Sequence, residues 1–146
     1  MQDTKAIATS VKLIIPSDIK LVDLVHSVAE QMAEMAGFDA DEGLNIGLAV
    51  REAVINAIVH GNEKDPDRNV DVTLTAGKAG LEAKVRDRGN GFDPEETPDP
   101  RDATNVLRTS GRGLLLIRAF VDSVEFRRVG KSGMEITLTK HAHLPS

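Results

Sequence analysis

Glu52 and Asn56 stand four residues apart in the stretch REAVINAIVHGN, residues 51–62. In a helix that spacing puts a carboxylate and a carboxamide on one face, a turn apart. A solvated helix face is the commoner meaning of such a pair. Here both border an apolar stripe, and the small side chains of Ala53 and Ala57 leave room for something to lie against the helix. Mg2+ takes oxygen ligands and keeps several waters, so one Asn carbonyl plus phosphate oxygens is a sufficient set. Glu52 could then accept a proton from a water or hydroxyl aligned with a γ-phosphate.

Two further polar clusters follow. Asp87-Arg88-Gly89-Asn90-Gly91-Phe92-Asp93 comes directly after an alternating apolar run, and Ser110-Gly111-Arg112-Gly113-Leu114 opens a later helix. Asp87 is either a turn aspartate or a partly buried carboxylate that accepts from the exocyclic amine of adenine. In the second case Gly89 and Gly91 let the backbone pass close to the base. Gly111-Arg112-Gly113 is either a flexible helix opening or a phosphate site built from free N–H groups and the Arg112 cation. In this order and spacing the three clusters read as an ATP site. The better-known phosphate motifs fail. Gly130-Lys131-Ser132 imitates the end of a P-loop, but Glu125 occupies the required glycine position and no helix follows. Neither glycine pair extends to Gly-x-Gly-x-x-Gly, because position 94 is Pro and position 116 is Leu.

The elements that must carry these clusters follow from periodicity. Val11–Ile15 is β-prone and Pro16 stops it. Ser17 or Asp18 caps a helix whose apolar positions run from Ile19 to Met35, with Gly37 ending it. A second helix is expected from about Asp41 to His60, with Gly61 as its C′ residue. Asn69–Thr75 and Leu81–Arg86 read as a hairpin. Residues 88–110 carry Pro94, Pro98 and Pro100 with little apolar content, and a loop of that length is a functional lid or a disordered insert; the lid is placed at 93–112. Gly113–Val121 resumes a helix, and Val124–Val129 with Met134–Thr139 closes as a second hairpin. The order β-α-α-β-β-loop-α-β-β predicts an α/β two-layer sandwich. Helices would cover one face of a mostly antiparallel mixed sheet, in a single domain over 1–146.

Composition excludes several classes. With 18 basic and 23 acidic residues the net charge is −5, which does not favour nucleic acid. Four Phe and no Trp or Tyr leave few stacking platforms for single strands. The absence of Cys removes disulfides, thiolate metal sites and cysteine nucleophiles. No apolar run approaches the roughly 20 residues of a membrane span, and no basic-then-apolar leader opens the chain, so a cytoplasmic location is expected. His26, His60, His141 and His143 lack ligand-like spacing, apart from the last pair, which reads as a frayed tail. His60 could approach phosphates or simply serve the helix dipole.

Residues 47–60, 87–93 and 110–120 are similar to the N box and the two glycine boxes of the ATPase superfamily of gyrase, histidine kinases and MutL-type proteins. Within it, the phrases REAVINAIVHGN, DRGNGFDPEE and SGRGLLLIRAFVDSVEF resemble the small bacterial anti-sigma-factor serine/threonine kinases, over residues 10–140. The resemblance implies a Bergerat-type fold that binds ATP and Mg2+. It implies Glu52 as catalytic base, Asn56 as metal ligand, Asp87 as the adenine-recognising acid and Gly89 with Gly91 as a hinge. Ser110, Gly111, Arg112 and Gly113 would form the lid end that closes on phosphate. It further implies alternating capture of a sigma factor and an antagonist, phosphorylation of a serine on the antagonist, and a homodimer through the sheet. The alternative reading is a partner-capture module that holds ATP without transferring phosphate. One position departs from the pattern: where the superfamily commonly has Gly-Thr leading into the last strand, this chain has Gly133-Met134, which removes a hydroxyl near the base.

Overall fold

The structure, a computed structural model, describes residues 8–89 and 113–143. The chain runs through β1 (Thr9–Pro16), a 3-10 turn (Ile19–Leu21), α1 (Val22–Met35), α2 (Ala40–Asn56) and a π-helical turn (Ala57–Gly61). β2 (Asn69–Gly77), β3 (Gly80–Arg86), α3 (113–120), β4 (Ser123–Arg128) and β5 (Met134–His141) follow. The strands form one sheet in the order β1-β2-β3-β5-β4, and every described pairing is antiparallel, so the mixed character expected of the sheet is not found among the described residues.

Strand alternation divides the sheet. Val70, Val72 and Leu74 of β2, Ala83 and Val85 of β3, and Ile136 and Leu138 of β5 are buried in one core with Val22, Val25, Ala29, Ile46, Val50 and Val54 of the helices. The intervening residues face the other way and are polar: Asp71 and Thr73, Glu82, Lys84 and Arg86, Glu135 and Thr137. That is the two-layer α/β sandwich the element order predicts.

Local chemistry sets the helices that carry the site. Asp18 accepts from the backbone of Lys20 and opens the 3-10 turn, and Gly37, at φ 94°, ends α1. α2 begins one turn-defining residue earlier than its periodicity suggests, because Asp39 and Glu42 form a capping box: Asp39 Oδ1 accepts from Glu42 N at 2.8 Å, and Asp39 N donates to Glu42 Oε1 at 3.3 Å. Gly47 admits α1 closely; a Cβ there would lie 2.7 Å from the His26 ring.

The far end of α2 differs from expectation. α-Helical bonding stops at Asn56, and the next turn is π-type, with Asn62 N donating to Ala57 O at 2.8 Å. Gly61 is not a left-handed cap. The positive φ values fall on Glu63 (54°) and Lys64 (60°), which reverse the chain toward β2. The two C-terminal histidines are not a frayed tail either. His141 pairs with Gly80 at the end of β5, and His143 contacts Glu42 and packs edge-on to Phe38 with ring centroids 6.1 Å apart.

The capping box gives a first test. Replacing an Asp N-cap with Ala costs about 1 kcal/mol, so Asp39→Ala should lower the urea midpoint by about 0.3–1 M without changing the slope. An unchanged midpoint would mean that the cap does not hold α2.

Candidate functional site

Glu52 and Asn56 are half-buried in the last turn of α2. They face the start of α3: a Cβ on Gly113 would lie 2.4 Å from Glu52 Oε2 and 3.8 Å from Asn56 Nδ2. Only a glycine backbone fits there. The first and third sequence clusters therefore meet at the Gly113 backbone, beside the carboxylate and carboxamide. Ser110, Gly111, Arg112, Gly91 and the lid expected at 93–112 lie outside the described residues.

Asp87 closes β3 and is 7% exposed. Its Oδ1 accepts from Gly89 N and from Met134 N, each at 3.1 Å, while its own N–H donates to Met134 O at 2.9 Å. The backbone of Met134 thus braces the aspartate, so a side-chain hydroxyl at this position is not what holds it. Gly133, at φ 142°, allows this approach; a Cβ there would lie 2.7 Å from Asp87 O. With both of these bonds on Oδ1, Oδ2 lies toward Gly61, where an added Cβ would come within 2.1 Å of it. Burial pushes the Asp87 carboxyl above its ordinary value, and the two N–H donors offset this only in part.

The first and second clusters meet at a crossing of two backbones. A Cβ on Gly89 would lie 1.4 Å from the carbonyl oxygen of Gly61. Gly61 and Gly89 both fit here by absence of bulk. His60 lies in the π turn just before the crossing.

Sequence reading passes over the residues that frame Asp87. Asn62 is completely buried, as are Ser17 and Asp71 nearly so. Arg88 forks onto Asp71, Nη1 to Oδ1 at 3.1 Å and Nη2 to Oδ2 at 2.7 Å, and Lys12 stands 3.8 Å from the same carboxylate. The Arg88 guanidinium holds the Asp71 carboxyl below its ordinary value. Asp71 stands opposite Arg86 in the β2–β3 register and takes the fork from Arg88 two residues further along the chain.

Residues 15–140 match the histidine kinase-like ATPase domain. The chain belongs to that family. Among its curated relatives, the anti-sigma F factor of Heyndrickxia coagulans is 41% identical over 107 residues, covering 71% of this chain and 73% of the relative. The serine-protein kinase RsbW of Bacillus subtilis is 25% identical over 140 residues, covering 92% and 86%. In fold, the ATPase domain is similar to a crystal structure of the RsbU and RsbW domains of a Mycobacterium tuberculosis protein, with a TM-score of 0.64 at 20% identity. That likeness spans 94% of this chain and 34% of the solved one.

The two aspartates respond to pH with opposite sign. Asp87, whose folded pKa is raised, costs stability when ionised, and the cost disappears as pH falls through the raised value. Asp71, whose folded pKa is lowered, adds stability that is complete above 3.8 and is lost as pH falls through the lowered value. Asp87→Asn retains Oδ1 and both N–H bonds, so at pH 7 it should melt no lower than the parent. Asp71→Asn should melt lower at pH 7, with the difference vanishing in strong acid. Melting temperatures across pH decide both; a Asp71→Asn deficit that persists unchanged in acid would contradict the ion-pair account.

Proposed function

We propose that this ATPase domain is an ATP-Mg2+-dependent anti-sigma serine/threonine kinase that regulates transcription by partner switching. The observation that carries the reading is the convergence of Glu52 and Asn56 on the Gly113 backbone, together with a buried Asp87 whose Oδ2 lies against Gly61 in the turn that follows α2. The curated relatives named anti-sigma F factor and serine-protein kinase support it.

The residue types suit an adenine nucleotide and a hard cation. Asn56 offers a carbonyl oxygen to Mg2+, Asp87 Oδ2 accepts from the adenine amine, and Gly89 leaves the base unobstructed. The N–H groups at the start of α3, with Ser110, Gly111, Arg112 and Gly113, would take the phosphates. When bound, Mg2+ neutralises charge on the transferring phosphate. Glu52 receives the proton of the attacking serine hydroxyl as the new P–O bond forms and the bond between the γ-phosphorus and the bridging oxygen breaks, with ADP leaving on that oxygen. The protein partners are a sigma factor and the antagonist that carries this serine, and the domain works in the cytoplasm as a single unit over 1–146. The same reading includes a homodimer through the sheet.

Removal of Glu52 should separate binding from chemistry. Two negative groups repel in the ground state, so Glu52→Ala should bind ATP-Mg2+ at least as well as the parent. Transfer to the antagonist serine should fall by about 10²–10⁴, the usual contribution of a positioned general base. Asn56→Ala, in contrast, should lose roughly ten- to hundredfold in ATP-Mg2+ affinity. Calorimetry and single-turnover transfer to the antagonist test these outcomes. A parental transfer rate in Glu52→Ala removes Glu52 from catalysis, and a parent that captures its partner with ATP yet transfers nothing is a binding module instead.

A further inference from the structure

We propose that Asn62 and the Arg88–Asp71 ion pair are positioning residues that aim Asp87 at the base and so set nucleotide selectivity, an inference that rests on the adenine site proposed above. Asn62 has no exposed surface. Its Nδ2 lies 2.9 Å from Ser17 Oγ and 3.1 Å from both Arg68 O and Asn69 O. Ser17 Oγ in turn donates to Arg68 O at 2.6 Å. Those contacts alone would describe structural glue between β1, the loop after the π turn and β2.

The other end of the carboxamide points to the site. Asn62 Oδ1 accepts from the backbone N–H of Arg88 at 2.7 Å. That N–H belongs to the peptide that leaves Asp87, between the carboxylate and Gly89. The Arg88 side chain reaches to the opposite face of the sheet, where it forks onto Asp71 and donates from Nη1 to Asn69 O at 2.9 Å. Asn69 O therefore accepts from both Asn62 and Arg88, and the hydrogen bonds close a ring around one residue. Arg88 is gripped by its backbone from the helix side and by its guanidinium from the other.

Two physical effects follow for Asp87. A carboxylate that must meet one amine hydrogen performs its task only within a few tenths of an ångström, and the ring denies the neighbouring peptide the freedom to shift. The fork onto Asp71 also occupies a guanidinium that sits one residue from Asp87. Released from Asp71, that cation would compete with the base amine for the Asp87 oxygens.

The test compares ATP-Mg2+ with inosine triphosphate-Mg2+, which carries a carbonyl in place of the amine, by calorimetry on the full chain. The parent should prefer ATP by about tenfold or more, the worth of one hydrogen bond to a charged acceptor. In Asn62→Ala and in Arg88→Met that preference should collapse toward unity, with ATP affinity falling and inosine triphosphate affinity nearly unchanged. Arg88→Lys, which keeps one bond to Asp71, should recover part of the preference. The Arg88 side chain is 37% exposed, so its variants remain decisive if Asn62→Ala fails to fold. Equal losses for both nucleotides, or an intact preference in Arg88→Met, would overturn the inference while leaving the adenine site standing. A parent without any preference would instead overturn the adenine reading itself, and this inference with it.

Discussion

Two backbones share a space in which neither can carry a side chain: the carbonyl of Gly61 and the α-carbon of Gly89. Everything around the site accommodates that contact. An ordinary α-helical ending would aim the chain differently, and the extra residue of a π turn carries Gly61 onto the end of β3. The reversal that follows is sharp enough to place Glu63 and Lys64 at positive φ, a conformation that costs non-glycine residues energy. α2 thereby ends on Glu52 and Asn56, the π turn carries Gly61, and the sheet brings Asp87 against that glycine.

The sheet keeps its two faces chemically separate, and the site draws on both. Toward the helices lie aliphatic side chains whose burial supplies the cohesion of the domain. Toward the other side lie charges, and there Arg88 finds Asp71. Asp87 sits at the boundary, buried enough for its carboxyl to be raised, while Asp71 on the charged side is lowered by its partner. Opposite shifts in two aspartates joined through one arginine mark the point where the apolar layer gives way to the polar one.

Much of this was legible in the sequence. Glu52, Asn56 and Asp87 stood out because functional groups must recur at helical spacing or follow a strand, and Gly113 because a glycine opened a helix. Strand alternation identified all five described strands to within a residue or two. What escaped was non-local. The burial of Asn62 depends on four segments meeting, from Ser17 to Arg88, and no window of sequence contains them. The role of Gly61 depends on Gly89, 28 residues away by their numbers in the chain. The docking of His143 on Glu42 joins positions 101 apart. Periodicity also cannot say that β5 enters the sheet between β3 and β4, since either order buries the same apolar residues.

That insertion has a consequence for biosynthesis. Asp87 is braced by Met134, 47 residues later in the chain. On the ribosome, β1 to β3 and both long helices emerge first and can associate, but the aspartate then has only the N–H of Gly89 to hold it. The Asp87 carboxylate reaches its final setting when β5 slides in beside β3. A ligand that needs this carboxylate fully braced would stabilise only the state in which β5 is already in place.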